Sequence, residues 1–100
     1  MTTAKAPQFL YEGTLTFGSV TNSTSTTTDI TVTLPNNMQF PHSGTAGDGA
    51  VLALELPNLQ AGLMFCNPQA ISATQFKVRF FNPTGGALTP TGTNAKLVMF

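Results

Sequence analysis

Apolar and polar residues alternate one by one in several segments of the chain after residue 13. This period of two is typical of β-strands that bury one face. The clearest alternation is TDITVTL at 28–34, and similar alternation predicts strands at 14–20 and 76–81. The 17 threonines support strands over helices, because a side chain branched at Cβ loses rotamer freedom in a helix.

The second half of the chain adds more apolar segments. GAVLALEL at 49–56 places three leucines on one face, while 61–66 and 95–100 are apolar on both faces. A helix is predicted nowhere, since the one candidate, QAISAT at 69–74, is short and follows a proline. About six short strands separated by turn signals indicate an all-β fold, a small antiparallel β-sandwich of jelly-roll-like type, formed as a single domain by residues 14–100.

Residues 1–13 differ from the rest and are predicted to form an N-terminal arm. They show no sustained period, Pro7 interrupts them and Gly13 ends them, yet they contain the apolar cluster Phe9, Leu10 and Tyr11. Two interpretations stay open. The cluster is either a first edge strand that covers the core, or a docking arm whose three apolar side chains contact a partner.

The chain carries very little charge. Asp, Glu, Lys and Arg make up 8% of the residues, and the formal net charge is zero, whereas soluble domains average roughly 25% charged residues. Either the Thr, Asn, Ser and Gln side chains solvate such a surface without charges, or partners cover much of it. The surplus apolar strand faces favour coverage by copies of the chain or by other partners. The strands that are apolar on both faces have surplus apolar side chains, and Phe81 is an apolar residue on the otherwise polar face of 76–81. Phe81, Val98 and Phe100 are therefore candidate oligomer contacts.

The residues of catalytic and metal chemistry are sparse. His42 is the single histidine and Cys66 the single cysteine, so no disulfide can form within the chain. GTAGDG at 44–49 lacks the Lys-Ser/Thr ending of a phosphate loop and precedes a strand. We therefore expect no catalytic residues, no metal site, no cofactor and no enzymatic activity.

Nucleic acid and membranes are not expected partners. The four cationic residues are scattered, whereas binding to phosphates needs clustered cations. No uninterrupted apolar run approaches the ~20 residues of a membrane span. The first ten residues lack the features of a secretory signal, so we expect a product of the cytoplasm.

Turn and strand signals follow one another in a fixed order through residues 47–100: Gly47-Asp48, Pro57, Gly62, Ser72-Ala73, Phe76-Lys77-Val78-Arg79, Asn82-Pro83-Thr84 and Pro90. In this order they resemble a β-sandwich module that recurs in structural proteins of tailed bacteriophages, including head fibres, capsid decorations and tail-fibre tips. TTTDITVTLPN at 26–36 is similar to the strand that precedes the module's Gly-Asp, and PNNMQFPHSGTA is longer than the usual insertion.

The resemblance implies a virion structural protein, commonly a homotrimer, that is made in the host cytoplasm and lies on the virion surface. Two functions fit it. The first is a capsid decoration or cement protein that binds the major capsid protein on the outer shell and stabilises it, with Phe9, Leu10 and Tyr11 of the arm as candidate contacts to the capsid. The alternative is a tail- or head-fibre tip that binds a host-surface receptor through the loop at 35–48. The single-domain length and the lack of a fibre repeat favour the first.

Overall fold

A computed structural model describes residues 8–41 and 52–100 of the chain. The described part contains a short 3-10 turn at Pro35–Asn37 and six strands. The strands are β1 (Phe9–Gly13), β2 (Thr28–Thr33), β3 (Leu52–Glu55), β4 (Met64–Ala70), β5 (Gln75–Phe81) and β6 (Ala95–Met99).

The strands form two antiparallel sheets of three strands each. Sheet one has the order β1-β6-β3, and sheet two has the order β2-β5-β4. In sheet one Leu97 lies opposite both Tyr11 and Leu54, and in sheet two Ile30 lies opposite Val78. The predicted fold class, a small antiparallel β-sandwich, is confirmed.

The core lies between the two central strands. Phe76, Val78 and Phe80 of β5 are 0% exposed, and so are Leu97 and Met99 of β6. Every second residue of each strand points inward, as the alternation predicts. A central strand has a neighbour on both sides, so it buries its inner face completely.

Aromatic rings connect the two layers. Phe40, from the segment after β2, lies with its ring centroid 5.1 Å from that of Phe9 on β1 and 6.4 Å from that of Phe76 on β5. The ring of Phe17 meets Phe80 edge to face at 5.4 Å. Phe40 therefore joins sheet one to sheet two at one end of the core.

The segment 14–20 is extended but does not form the predicted regular strand. Leu15 and Phe17 are buried, in agreement with the alternation. The Leu15 amide donates to the Gly92 carbonyl at 2.9 Å, and Val20 forms a single bridge with Leu88. The facing segment contains Pro90, which has no N–H to donate, so a continuous ladder cannot form there.

The described part of the predicted arm belongs to the sandwich. β1 pairs with β6 along its whole length, from Phe9 opposite Met99 to Gly13 opposite Ala95. Phe9–Gly13 therefore agrees with the first interpretation, an edge strand that covers the core. Residues 1–7 lie outside the described residues. The loop predicted at 35–48 begins with the 3-10 turn, and its part from His42 onward also lies outside them.

β4 begins later and continues further than the predicted strand at 61–66. Its pairing with β5 shifts between Cys66 and Gln69. At this bulge Asn67 has a φ of 55°, in the left-handed region that asparagine tolerates better than most residues. Ala70 ends the strand, so QAISAT contributes a strand end and a turn and no helix.

A buried asparagine holds the loops at one end of the sandwich. Asn82, 1% exposed, follows β5, and its Nδ2 donates to the Val20 carbonyl at 3.1 Å and to the Gly86 carbonyl at 3.0 Å. Its Oδ1 accepts the Thr84 amide at 3.1 Å and the Thr84 hydroxyl at 2.6 Å. One side chain thereby satisfies the backbone of two separate segments.

Replacing this asparagine should destabilise the fold. Asn82→Ala leaves buried donors and acceptors without partners, at about 1 to 3 kcal/mol for each strongly buried group, so we expect a loss of about 2 to 4 kcal/mol. Urea unfolding followed by circular dichroism measures it. Asn22→Ala, at an exposed asparagine of the nearby loop, is the control and should cost no more than about 0.5 kcal/mol. Equal midpoints for the two variants would contradict this role of Asn82.

Gly92 should be intolerant of any side chain. A Cβ at this buried position would lie 1.9 Å from the Leu15 carbonyl oxygen. Because that oxygen belongs to the backbone, Gly92→Ala must separate the two segments, at a cost of roughly 3 kcal/mol or more. Gly18→Ala is the matched control, since nothing lies within 4 Å of its added Cβ. Thermal unfolding should separate the two variants clearly, and similar midpoints would disprove the close approach.

Candidate interaction surfaces

The outer face of sheet one carries an apolar row across all three strands. Val98 on β6 lies opposite Leu10 on β1 and opposite Ala53 on β3. Leu10 is 53% exposed, Ala53 is exposed and Val98 is half-buried. Side chains directly opposite one another on one face of a sheet are in contact distance. We call Leu10, Val98 and Ala53 the apolar row.

A second row of charged residues runs parallel to the apolar row. Lys96 lies opposite Glu12 on β1 and opposite Glu55 on β3, and all three are exposed. We call these three the charged row. It borders a shallow depression of about 370 Å³ at the end of the sheet. Across the strands the charges therefore alternate negative, positive, negative.

The outer face of sheet two is more polar. Arg79 lies opposite Asp29, and its Nε donates to Asp29 Oδ1 at 2.9 Å. Cys66 is exposed on the other side of Arg79. At one end of this face Met64, 54% exposed, lies opposite Phe81. This face thus presents an ion pair next to a smaller apolar pair.

The structure separates the residues that the sequence suggested as partner contacts. Leu10, from the predicted arm, and Val98, a predicted oligomer contact, are cross-strand neighbours. Phe81 lies on the other sheet, and Phe100 is half-buried just after β6.

The rest of the predicted arm points the other way. Phe9 and Tyr11 pack against the core, and the Tyr11 hydroxyl donates to the Thr14 carbonyl at 2.9 Å. Leu10 is thus the exposed member of the three apolar side chains in the arm. The sequence pattern does not predict the charged row, because Glu12 and Glu55 are distant from Lys96 along the chain and only the strand register brings them beside it.

Residues 8–41 and 52–100 contain no group of three His, Cys, Asp or Glu side chains placed to hold a metal ion. They also contain no helix of sufficient length and apolarity to cross a membrane. His42 and the GTAGDG segment at 44–49 lie outside these ranges.

The ion pair on sheet two should be visible in a titration. The hydrogen bond from Arg79 holds the pKa of Asp29 below its ordinary value. The pair therefore stabilises the fold above the unfolded-state pKa of Asp29, and this contribution is lost as the pH falls through the lower folded-state pKa. In Arg79→Gln we expect the pKa of Asp29 to rise toward its ordinary value, as measured by NMR of the carboxyl carbon. Lys96→Gln, on the other sheet, is the control. An unchanged Asp29 titration in Arg79→Gln would contradict the pairing.

Comparisons of the chain with known protein families, with curated proteins and with solved structures found no match. The resemblance of residues 47–100 to the tailed-phage module accordingly stays a prediction. The observations that bear on function are therefore the surfaces of the described chain. These are an apolar and a charged row on sheet one, and an apolar pair beside an ion pair on sheet two.

Proposed function

We propose that this chain is a virion structural protein of the bacteriophage capsid decoration, or cement, type. In this proposal it associates with copies of itself on the outer shell, contacts the major capsid protein and stabilises the particle. It acts by packing and has no catalytic step. The resemblance of residues 47–100 to the tailed-phage module supports a role in a virion. The exposed apolar residues on the outer sheet faces support a role in packing against other proteins.

The observation that carries the proposal is exposed apolar side chains on both outer faces of the sandwich. Leu10 on sheet one is 53% exposed and Met64 on sheet two is 54% exposed. Each has an apolar neighbour in register, Val98 in the first case and Phe81 in the second. Two apolar surfaces on opposite faces suit a component that contacts two neighbours, one on each side.

The use of polar side chains agrees with a structural role. The side chain of Gln60 bonds the backbone of Thr89 and Thr91, and Asn58 Nδ2 donates to the Thr93 carbonyl at 3.1 Å. Together with Asn82 these amides are engaged with backbone groups of the fold. They fix the loops of a thin sandwich, which favours a rigid building block over a protein with a mobile site.

Electron microscopy of virions from cells that encode this chain tests the proposal. Maps of particles with and without the chain should differ by density at symmetric positions on the outer shell, and particles without it should lose their contents at lower temperature. Density confined to the tip of a fibre would favour the receptor-binding alternative. Virions without the chain would end the proposal.

A pair of variants tests the contact of sheet two with the shell. Met64→Gln removes an apolar side chain of the exposed pair, so we expect lower occupancy on the shell. Gln69→Ala changes an exposed polar residue of the same strand and should leave occupancy unchanged. Equal occupancy for both variants would show that Met64 is not a contact.

A further inference from the structure

We infer that a second copy of the chain packs face to face on sheet one, with Lys96 over Glu12 of the partner subunit and Leu10 over Val98 of the partner subunit. The two copies are related by a two-fold axis that runs parallel to the strands, between β1 and β6. This inference deepens the self-association within the proposed function, on which it rests, and is independent of attachment to a shell.

The charges in the charged row select the position of the axis. With signs of negative, positive, negative across β1, β6 and β3, an axis along β6 would place Lys96 over the partner's Lys96 and Glu12 over the partner's Glu55. Moving the axis to the gap between β1 and β6 exchanges these two strands. Lys96 of each copy then lies over the partner's Glu12, which gives two equivalent charge pairs in the dimer. The face is therefore complementary to itself.

The same operation also matches the apolar row. A two-fold axis parallel to the strands keeps their direction, so each row lies over the same row of the other copy. Leu10 covers the partner's Val98, and Val98 covers the partner's Leu10. An axis between β6 and β3 would match the charges as well, but it would pair Val98 with the small side chain of Ala53. Since Leu10 is the larger and is 53% exposed, the first position buries more apolar surface.

The size of the face sets the strength of the contact. In this arrangement β1 and β6 face the partner subunit and β3 lies outside the contact. Two strands of about five residues cover roughly 160 Å² on each copy, at about 3.4 Å per residue and about 4.8 Å between strands. Stable interfaces bury about 800 Å² on each partner. The contact should therefore be a weak, concentration-dependent dimer that becomes durable only when other contacts in an assembly act with it. A dimer is the species expected from this face, in contrast to the trimer that the resemblance implies.

Reciprocal charge reversal tests the arrangement. Lys96→Glu makes the charged row wholly negative, and Glu12→Lys places two cations opposite each other in the dimer. Each variant alone should associate about tenfold or more weakly than the native chain, in sedimentation over the micromolar to millimolar range. An equimolar mixture should recover the association, because the acid introduced at position 96 then faces the base introduced at position 12. A general loss of stability would not be rescued by mixing, and circular dichroism confirms that each variant is folded.

Two further variants make the test decisive. Lys77→Glu changes a cation on sheet two and should leave self-association unaltered. Glu55→Lys mixed with Lys96→Glu should not reach the affinity of the first mixture; if it alone recovers association, the axis lies between β6 and β3 and the proposed position is wrong. A native chain that stays monomeric throughout the range overturns the inference, and microscopy of particles then still decides whether the chain coats a shell.

Discussion

The constraint on which this fold depends is the number of strands in each sheet. With three strands to a sheet in the described part of the chain, β5 and β6 are the two strands with neighbours on both sides, and their inner faces hold five of the six described apolar side chains that are 0% exposed. A 100-residue chain without an internal disulfide relies on buried apolar side chains to hold two sheets together. The rings of Phe17 and Phe40 pack against Phe80 and Phe76 of β5, and the ring of Phe9 packs against Phe40, so these rings extend the core that the central strands form.

The ends of the sandwich are closed by side chains rather than by strand pairing. Between residues 87 and 94 the chain contains Pro90 and the close approach of Gly92 to Leu15, so a regular ladder is interrupted. Amides from Gln60, Asn58 and Asn82 bond the backbone in its place. Such bonds contribute modestly when made but are costly to lose in a buried position. Burial of the apolar core therefore drives folding, and the side-chain amides hold the loops in place.

The sequence predicts the regular strands well, because alternation of apolar and polar residues reports burial of one face directly. It places β2, β5 and β6 nearly where they lie. It fails where burial occurs without a ladder, as at Leu15 and Phe17, since alternation describes the direction of side chains and not the hydrogen bonds of the backbone. The bulge at Asn67 is also invisible to the pattern, because it depends on one left-handed residue.

The surfaces are harder to predict than the strands, since they depend on register between distant segments. The sequence suggests Leu10 and Val98 as contacts for different partners, whereas the register places them opposite one another, on the one surface that the proposed dimer contact covers. The charges follow the same logic. Of the eight charged residues in the chain, Glu12, Lys96 and Glu55 stand in one row, and Asp29, Arg79 and Lys77 stand on the outer face of sheet two. In the proposed dimer, the charges of the first row select how two molecules pack against each other.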